Sequence, residues 1–191
     1  MKGRESGMPE EAYWEGFFDA SAVLQTLLPG DAIPGDVVEF GCGYGTFTLA
    51  EAARSLARVT TFDIDPAMVA RTRERAADAG FANIEVSLRD FVADGTGLAD
   101  GSHSRALIFN LLHIEEPLAL LAEARRVLQP GGRLLVIHWR SDIPTPRGPS
   151  SEIRPTPGQC ARWMAEAGFR DVHSVDLSQG SPYHFGLVAE R

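Results

Sequence analysis

The stretch Glu39-Phe40-Gly41-Cys42-Gly43-Tyr44-Gly45 follows the apolar pair Val37-Val38 and runs into Thr46-Phe47-Thr48-Leu49-Ala50. An apolar strand therefore turns through three alternate glycines into a helix. Glycine permits positive φ and lets a ligand approach the backbone with no Cβ in the way, and the helix that follows presents unpaired N–H groups. The turn is a place to hold a polar, hydrogen-bonding molecule. It does not have the spacing of the dinucleotide fingerprint G-x-G-x-x-G, whose third glycine would stand at Thr46. Glu39, just ahead of the first glycine, repels a phosphate and favours a cation.

Outward from this turn, apolar bursts alternate with amphipathic stretches in the rhythm of a parallel sheet with crossover helices. Strands are expected at Val37 to Phe40, Val59 to Phe62, Ile84 to Leu88, Ala106 to Phe109 and Leu134 to Trp139, with a closing pair near Val172 to Leu177 and His184 to Ala189. Helices are expected over 12–28, from Pro66, over Glu116 to Leu128 and over Gln159 to Ala167. Pro29-Gly30, Pro130-Gly131-Gly132 and Gly168 mark stops. Asp65-Pro66 reads as a helix cap with proline at the first helical position.

Asp63 stands about 20 residues beyond the glycine turn, at the end of the second strand, where a carboxylate can accept hydrogen bonds from ribose hydroxyls. With Glu39 before the glycines, E-x-G-x-G-x-G resembles the first motif of class I S-adenosylmethionine-dependent methyltransferases. The resemblance runs from Val37 to about Trp139. It takes in Asp90 in Leu88-Arg89-Asp90-Phe91, Asn110-Leu111-Leu112-His113 after the fourth strand, and Leu128-Gln129-Pro130-Gly131-Gly132 before the fifth. It implies a Rossmann-like, doubly wound α/β fold with a seven-stranded sheet, mostly parallel with an antiparallel last strand. It also implies S-adenosyl-L-methionine as cofactor, released as S-adenosyl-L-homocysteine, held by Glu39, Gly41, Gly43, Gly45, Asp63, Ile64, Asp90, Phe91 and Asn110. Asp63 would take the ribose and Asp90 the adenine amino group. Ser104-Arg105 depart from the aspartate of many relatives, read here as a change in a peripheral contact.

Methyl displacement is helped mostly by alignment within a closed pocket, but a hydroxyl, phenol or ammonium acceptor must also lose a proton. In an open parallel sheet, ligands sit beyond the carboxyl ends of the strands. That rule points to His113 and His138, and, with an antiparallel last strand, to Tyr183 and His184. His113, His138 and Tyr183 are the catalytic candidates. Acceptor contacts are expected from His184, from Tyr13 and Trp14 as a partial lid, and from Arg140 and Arg147 in the proline- and arginine-rich loop 140–157. No metal site is expected.

The 191 residues, 44% hydrophobic and 23% charged, read as one domain with residues 1–11 flexible. A formal net charge of −8 gives no general attraction to nucleic acid. Two cysteines make no disulfide scaffold, and no stretch has the length of a membrane span, so a cytoplasmic location is expected. Enzymes of this fold that methylate exocyclic amines of adenine or side-chain amides usually carry Asn/Asp-Pro-Pro-aromatic after the fourth strand, and Asn110-Leu111-Leu112-His113 lacks both prolines, which weighs against those acceptors. A small, anionic acceptor is the expectation. The alternatives are a catalytically inactive cofactor-binding sensor or partner subunit, a protein or RNA methyltransferase, and a nicotinamide-dependent oxidoreductase. The oligomeric state, monomer or homodimer, stays open.

Overall fold

The computed structural model describes residues 7–30, 34–54 and 57–191. Its strands are β1 (Val37–Phe40), β2 (Val59–Asp63), β3 (Ile84–Leu88), β4 (His103–Phe109), β5 (Leu128–Trp139), β6 (Arg170–Val175) and β7 (His184–Glu190). They form one sheet in the order β3-β2-β1-β4-β5-β7-β6. β1 pairs in parallel with β2 and with β4, through Val37↔Val59 and Val37↔Arg105, and the parallel pairing continues to β3 and β5. β7 alone is reversed, lying antiparallel to β5 at Trp139↔His184 and to β6 at Val175↔Gly186. The strand order reverses between β1 and β4, and the crevice outside their carboxyl ends is the natural ligand site of such a sheet.

The central strands are near-continuous apolar runs because both faces are covered. Helices α2 (Ala20–Leu27) and α3 (Thr46–Arg54) cover one face, where Leu24, Phe47, Leu107, Phe109, Leu135 and Ile137 pack together. Helices α6 (Pro117–Val127) and α7 (Pro157–Glu166) cover the other, over Phe40, Ile108, Val136 and Leu187. Helix α4 (Pro66–Asp78) lies over β2 and β3, and the short α5 (Phe91–Asp94) follows β3. Asp65 caps α4 as expected, accepting the Ala67 N–H at 2.8 Å.

Several expected boundaries move. The stretch 12–28 is two helices, α1 (Glu11–Glu15) and α2, rather than one. Asp19 breaks it: its carboxylate accepts the Ala22 N–H at 3.0 Å as an N-cap, and its own N–H is taken by the Gly180 carbonyl at 2.8 Å. Helix α7 begins at Pro157, not Gln159, because Thr156 and Gln159 form a reciprocal capping box. β5 begins at Leu128, so the Pro130-Gly131-Gly132 turn lies within its assigned span. β4 begins at His103, which places Ser104 and Arg105 inside the sheet. Arg105 is fully buried and pairs with Glu51 of α3 at 2.9 Å. It is a core ion pair at the amino end of the strands, not a peripheral contact.

Residues 7–11, expected to be flexible, are seated on the body of the protein. The Tyr44 hydroxyl donates to the Pro9 carbonyl at 2.5 Å, and Glu11 pairs with Arg71 at 2.7 Å. The remainder of that expectation, residues 1–6, lies outside the described residues. Among the described residues no helix is long and apolar enough to cross a membrane.

Candidate cofactor and acceptor site

A cavity of about 370 Å³ opens at the carboxyl ends of β1, β2, β4 and β5. Its floor is the glycine turn. The N–H groups of Gly41 and Cys42 both donate to the Phe62 carbonyl, at 3.0 and 2.9 Å, which folds the turn back onto β2. Gly41 has φ +82° and Gly43 φ +52°, conformations that favour glycine. A Cβ on Gly41 would stand 3.3 Å from Leu111, within the space the turn keeps open.

Gly45 works differently from expectation. It is absent from the cavity wall, and a Cβ there would come within 2.9 Å of Leu49 and 3.0 Å of Thr72. The third glycine lets α3 and α4 approach each other. Its observed role is in packing.

Two acids meet at the floor. Glu39 is 2% exposed, and its carboxylate receives the hydroxyls of Thr61, at 3.0 Å, and of Thr48 in the first turn of α3. Burial pushes its pKa up to about 8 against the lowering effect of those two donors, and the neighbouring charge of Asp63 adds to the rise. Asp63 accepts the Gly43 N–H at 2.9 Å on one oxygen and the Asp65 N–H at 3.0 Å on the other. It thereby ties the turn to the end of β2, and it lines the cavity. Burial raises its pKa as well. A cation is the ligand such a floor stabilises.

Ile64, Asp90 and Phe91 continue the wall. Asp90 caps α5 through the Ala93 N–H at 3.0 Å, so the expected cofactor contact is also a structural cap. Asn110, at φ +59°, follows β4, and its N–H donates to the Ile137 carbonyl at 2.7 Å. Both polar atoms of its side chain are buried without a hydrogen-bond partner among the described residues. An amide left in that condition is costly, and a polar ligand in the cavity relieves it. The pair of acids, the open glycine backbone and this unmatched amide fit a cofactor with a cationic amino-acid end.

The same cavity is also lined by Trp14, His113, Trp139 and Arg147-Gly148-Pro149. Trp14 and Arg147, two of the expected acceptor contacts, line this cavity. Trp139, Met8 and Arg89 also line the cavity and were not singled out from sequence, although the place of Trp139 at the carboxyl end of β5 was a usable signal.

Five expected contacts fall elsewhere. His138 is fully buried behind His113 on the α6 and α7 side of the sheet. His184 lies beside Trp139 on the opposite face, with ring centroids 4.0 Å apart, its Nδ1 3 residues along from and 2.7 Å from the Ser181 hydroxyl. Trp139 takes the cavity position and His184 supports it. The Tyr183 ring rests against Phe17 at 6.2 Å rather than lining the cavity. Arg140 is held in a salt bridge with Asp142 at 2.6 Å. Tyr13 is 48% exposed, its hydroxyl 3.5 Å from the Pro146 carbonyl, outside the cavity.

The 140–157 loop is folded by Arg154. Its guanidinium donates to the carbonyls of Pro149 (2.6 Å), Arg140 (3.0 Å) and Arg147 (3.0 Å) and to the Thr145 hydroxyl (2.5 Å), and it lies 5.9 Å from the Trp139 ring centre. Arg147 donates to the Gly7 carbonyl and forms no ion pair with a carboxylate among the described residues. Among the described residues, no group of three or more metal-ligating side chains is placed to hold an ion.

Residues 37–132, half of the chain, match the family model described as a methyltransferase domain. The chain belongs to the class I S-adenosylmethionine-dependent methyltransferases. It is similar to the ubiquinone/menaquinone biosynthesis C-methyltransferase of Methylobacterium nodulans, 32% identical over 195 residues that cover 84% of this chain and 75% of the relative. It is also similar to the ribosomal protein L11 methyltransferase of Methylococcus capsulatus, 35% identical over 130 residues, 67% of this chain and 42% of the relative. The solved structure of a SAM-dependent methyltransferase from Aquifex aeolicus has the same fold, with TM-score 0.79, 24% identity and coverage of 94% of this chain and 93% of that one. The chain spans from about a third to three-quarters of the length of the curated relatives it matches. As a class I methyltransferase it uses S-adenosylmethionine, which supplies a methyl group on a positively charged sulfur.

Proposed function

We propose that this methyltransferase acts on a small acceptor that carries an anionic group. In this reading Glu39, Gly41, Gly43, Asp63, Ile64, Asp90, Phe91 and Asn110 hold the cofactor, and Trp14, Trp139 and Arg147 bound the acceptor. Glu39 and Asp63 offer negative charge to the cofactor's cationic groups, and Asn110 offers both a donor and an acceptor.

The observation that carries the acceptor's size is the part of the cavity wall contributed from outside the glycine turn. Trp14 and the Arg147-Gly148-Pro149 segment bound the cavity there, and the turn of loop behind them is pinned by Arg154. In this reading the wall confines a small molecule beside the cofactor and limits its contact with water, which strengthens the electrostatic effects inside. The anionic character rests on Arg147, a guanidinium in the wall without a carboxylate partner among the described residues. Family and fold alone do not choose an acceptor, since relatives by name include both a quinone-pathway enzyme and a ribosomal-protein enzyme.

Transfer from methyl-labelled S-adenosylmethionine to a library of small metabolites tests the reading, with a ribosomal protein fraction and total RNA as parallel samples. Label in a small, negatively charged product is the expected result. Label in polypeptide or RNA and in no small molecule would overturn it.

A further inference from the structure

His113 lines the cavity after β4, and His138 lies one residue before the end of β5. The two rings meet edge to face, with centroids 5.4 Å apart. Nδ1 of His138 is 3.2 Å from the Trp139 carbonyl oxygen, and its Nε2 is 3.2 Å from Nδ1 of His113. A carbonyl oxygen only accepts, so Nδ1 of His138 carries a proton. His138 is fully buried, and burial, with lesser contributions from His113 and Arg154, holds its pKa down to about 3, so the ring is neutral and Nε2 is a lone pair.

Facing a lone pair, Nδ1 of His113 must be the donor, and in neutral His113 the remaining nitrogen, Nε2, carries the free lone pair. No protein hydrogen bond to that atom is present among the described residues. The charged group that acts on His113 is Arg154, and burial together with Arg154 lowers its pKa, which keeps the ring neutral and able to accept a proton near pH 7. His138 in turn is faced by His113 and Arg154, and His184 is its ionisable neighbour across the sheet.

We propose that His138 is a positioning residue that locks His113 in its Nδ1–H tautomer, so that Nε2 of His113 takes a proton from the acceptor. The acceptor is therefore a molecule that loses a proton as it is methylated, and we assign the methylated atom as an oxygen or nitrogen that bears hydrogen. Its lone pair forms the new bond to the methyl carbon. The C–S bond breaks with its electron pair going to sulfur, and the O–H or N–H proton passes to Nε2 of His113 and then to solvent. Carboxylates, thioethers and tertiary amines lose no proton on methylation and have no use for this arrangement. This assignment rests on the methyl-transfer reading of the cavity given above.

Long-range proton–nitrogen NMR of the full chain labelled with ¹⁵N-histidine, with S-adenosylhomocysteine added, reads the tautomers directly. The expected spectrum has His113 and His138 both protonated at Nδ1. His138→Gln presents an amide oxygen in place of Nε2 and keeps His113 in that form, whereas His138→Leu removes the acceptor and moves His113 toward the Nε2–H tautomer. His113 protonated at Nε2 in the wild type, or unchanged in His138→Leu, overturns the proposal. Calorimetry with S-adenosylhomocysteine on the same samples separates the two readings: the His138 variants are expected to bind as the wild type does, and a wild type that binds none fails the cofactor reading whatever its tautomers. With the best acceptor from the library, His113→Gln is expected to lower turnover by about 100-fold or more at an unchanged cofactor affinity. A best acceptor without O–H or N–H at the methylated atom also overturns the proposal.

Discussion

The two halves of the cavity are built in different ways. The cofactor half comes from the ends of β1 and β2 and the turn between β1 and α3, residues near one another in sequence and shaped by backbone. Gly43 and Asp63, 20 residues apart, are joined by one hydrogen bond. The acceptor half is assembled from distant side chains: Arg147 reaches Gly7 across 140 residues, and the rings of Trp14 and Trp139 meet with centroids 6.4 Å apart. Backbone fixed by strand pairing is rigid and repeats from one relative to another, while walls made of long-range contacts vary and set what the enzyme accepts. Substitutions in the first half should move cofactor affinity, and those in the second should move acceptor KM.

Gly41→Val should have the largest effect on that division. A β-branched residue at φ +82°, with a Cβ 3.3 Å from Leu111, costs about 3 kcal/mol, and S-adenosylhomocysteine affinity should fall about 100-fold by calorimetry. Unchanged affinity would remove the turn from the cofactor site.

Asp63→Ala comes next. It leaves the N–H groups of Gly43 and Asp65 unmatched and removes a charged acceptor, worth about 2 kcal/mol or roughly 30-fold in the same measurement. A change in acceptor KM alone would place Asp63 on the wrong side of the cavity.

Glu39 predicts a pH dependence. Its pKa in the free protein is raised by burial to about 8, and a bound cation favours the carboxylate, so binding releases a proton. Affinity for the cofactor should rise by up to about tenfold from pH 7 to pH 8 and level off above, and Glu39→Gln should flatten the curve. The same shift has the opposite sign for the free protein. Folded Glu39 holds its proton between its ordinary value of 4.5 and about 8, so stability falls as pH rises through that window, and the Gln variant should lose less melting temperature over it.

Arg147→Leu should be the mildest. Arg147 is half-buried and its charge is screened, so a contribution of about 1 kcal/mol, a several-fold rise in acceptor KM, is expected with cofactor affinity unchanged. Lost cofactor affinity would show that the two halves are not separable.

Much of the cofactor half was legible because its signals are local. Three glycines needed for positive φ, an acid at each of two strand ends and the Asp65-Pro66 cap all lie within 28 residues of sequence, and the structure brings all but Gly45 to the expected place. Gly45 lies outside the cavity lining, and the sequence did not show it because a glycine needed for helix packing and one needed for ligand approach look alike in a motif. The single helix over 12–28 failed for a related reason, since an aspartate within an apolar stripe becomes a cap only when its backbone finds a partner, here Gly180. Arg105 looked peripheral because its partner, Glu51, is 54 residues away in sequence and buried with it.

By itself the sequence determined the strand and helix alternation, the glycine turn and the acids beside it, because periodicity and backbone conformation are written in neighbouring residues. Only the tertiary structure decided that Trp139 rather than His184 faces the cavity, that Arg154 folds the loop and leaves Arg147 in the wall, and that His138 stands behind His113. Those outcomes depend on which face of a strand each side chain occupies and what reaches it from afar, and burial then sets the charge and tautomer that each group can hold.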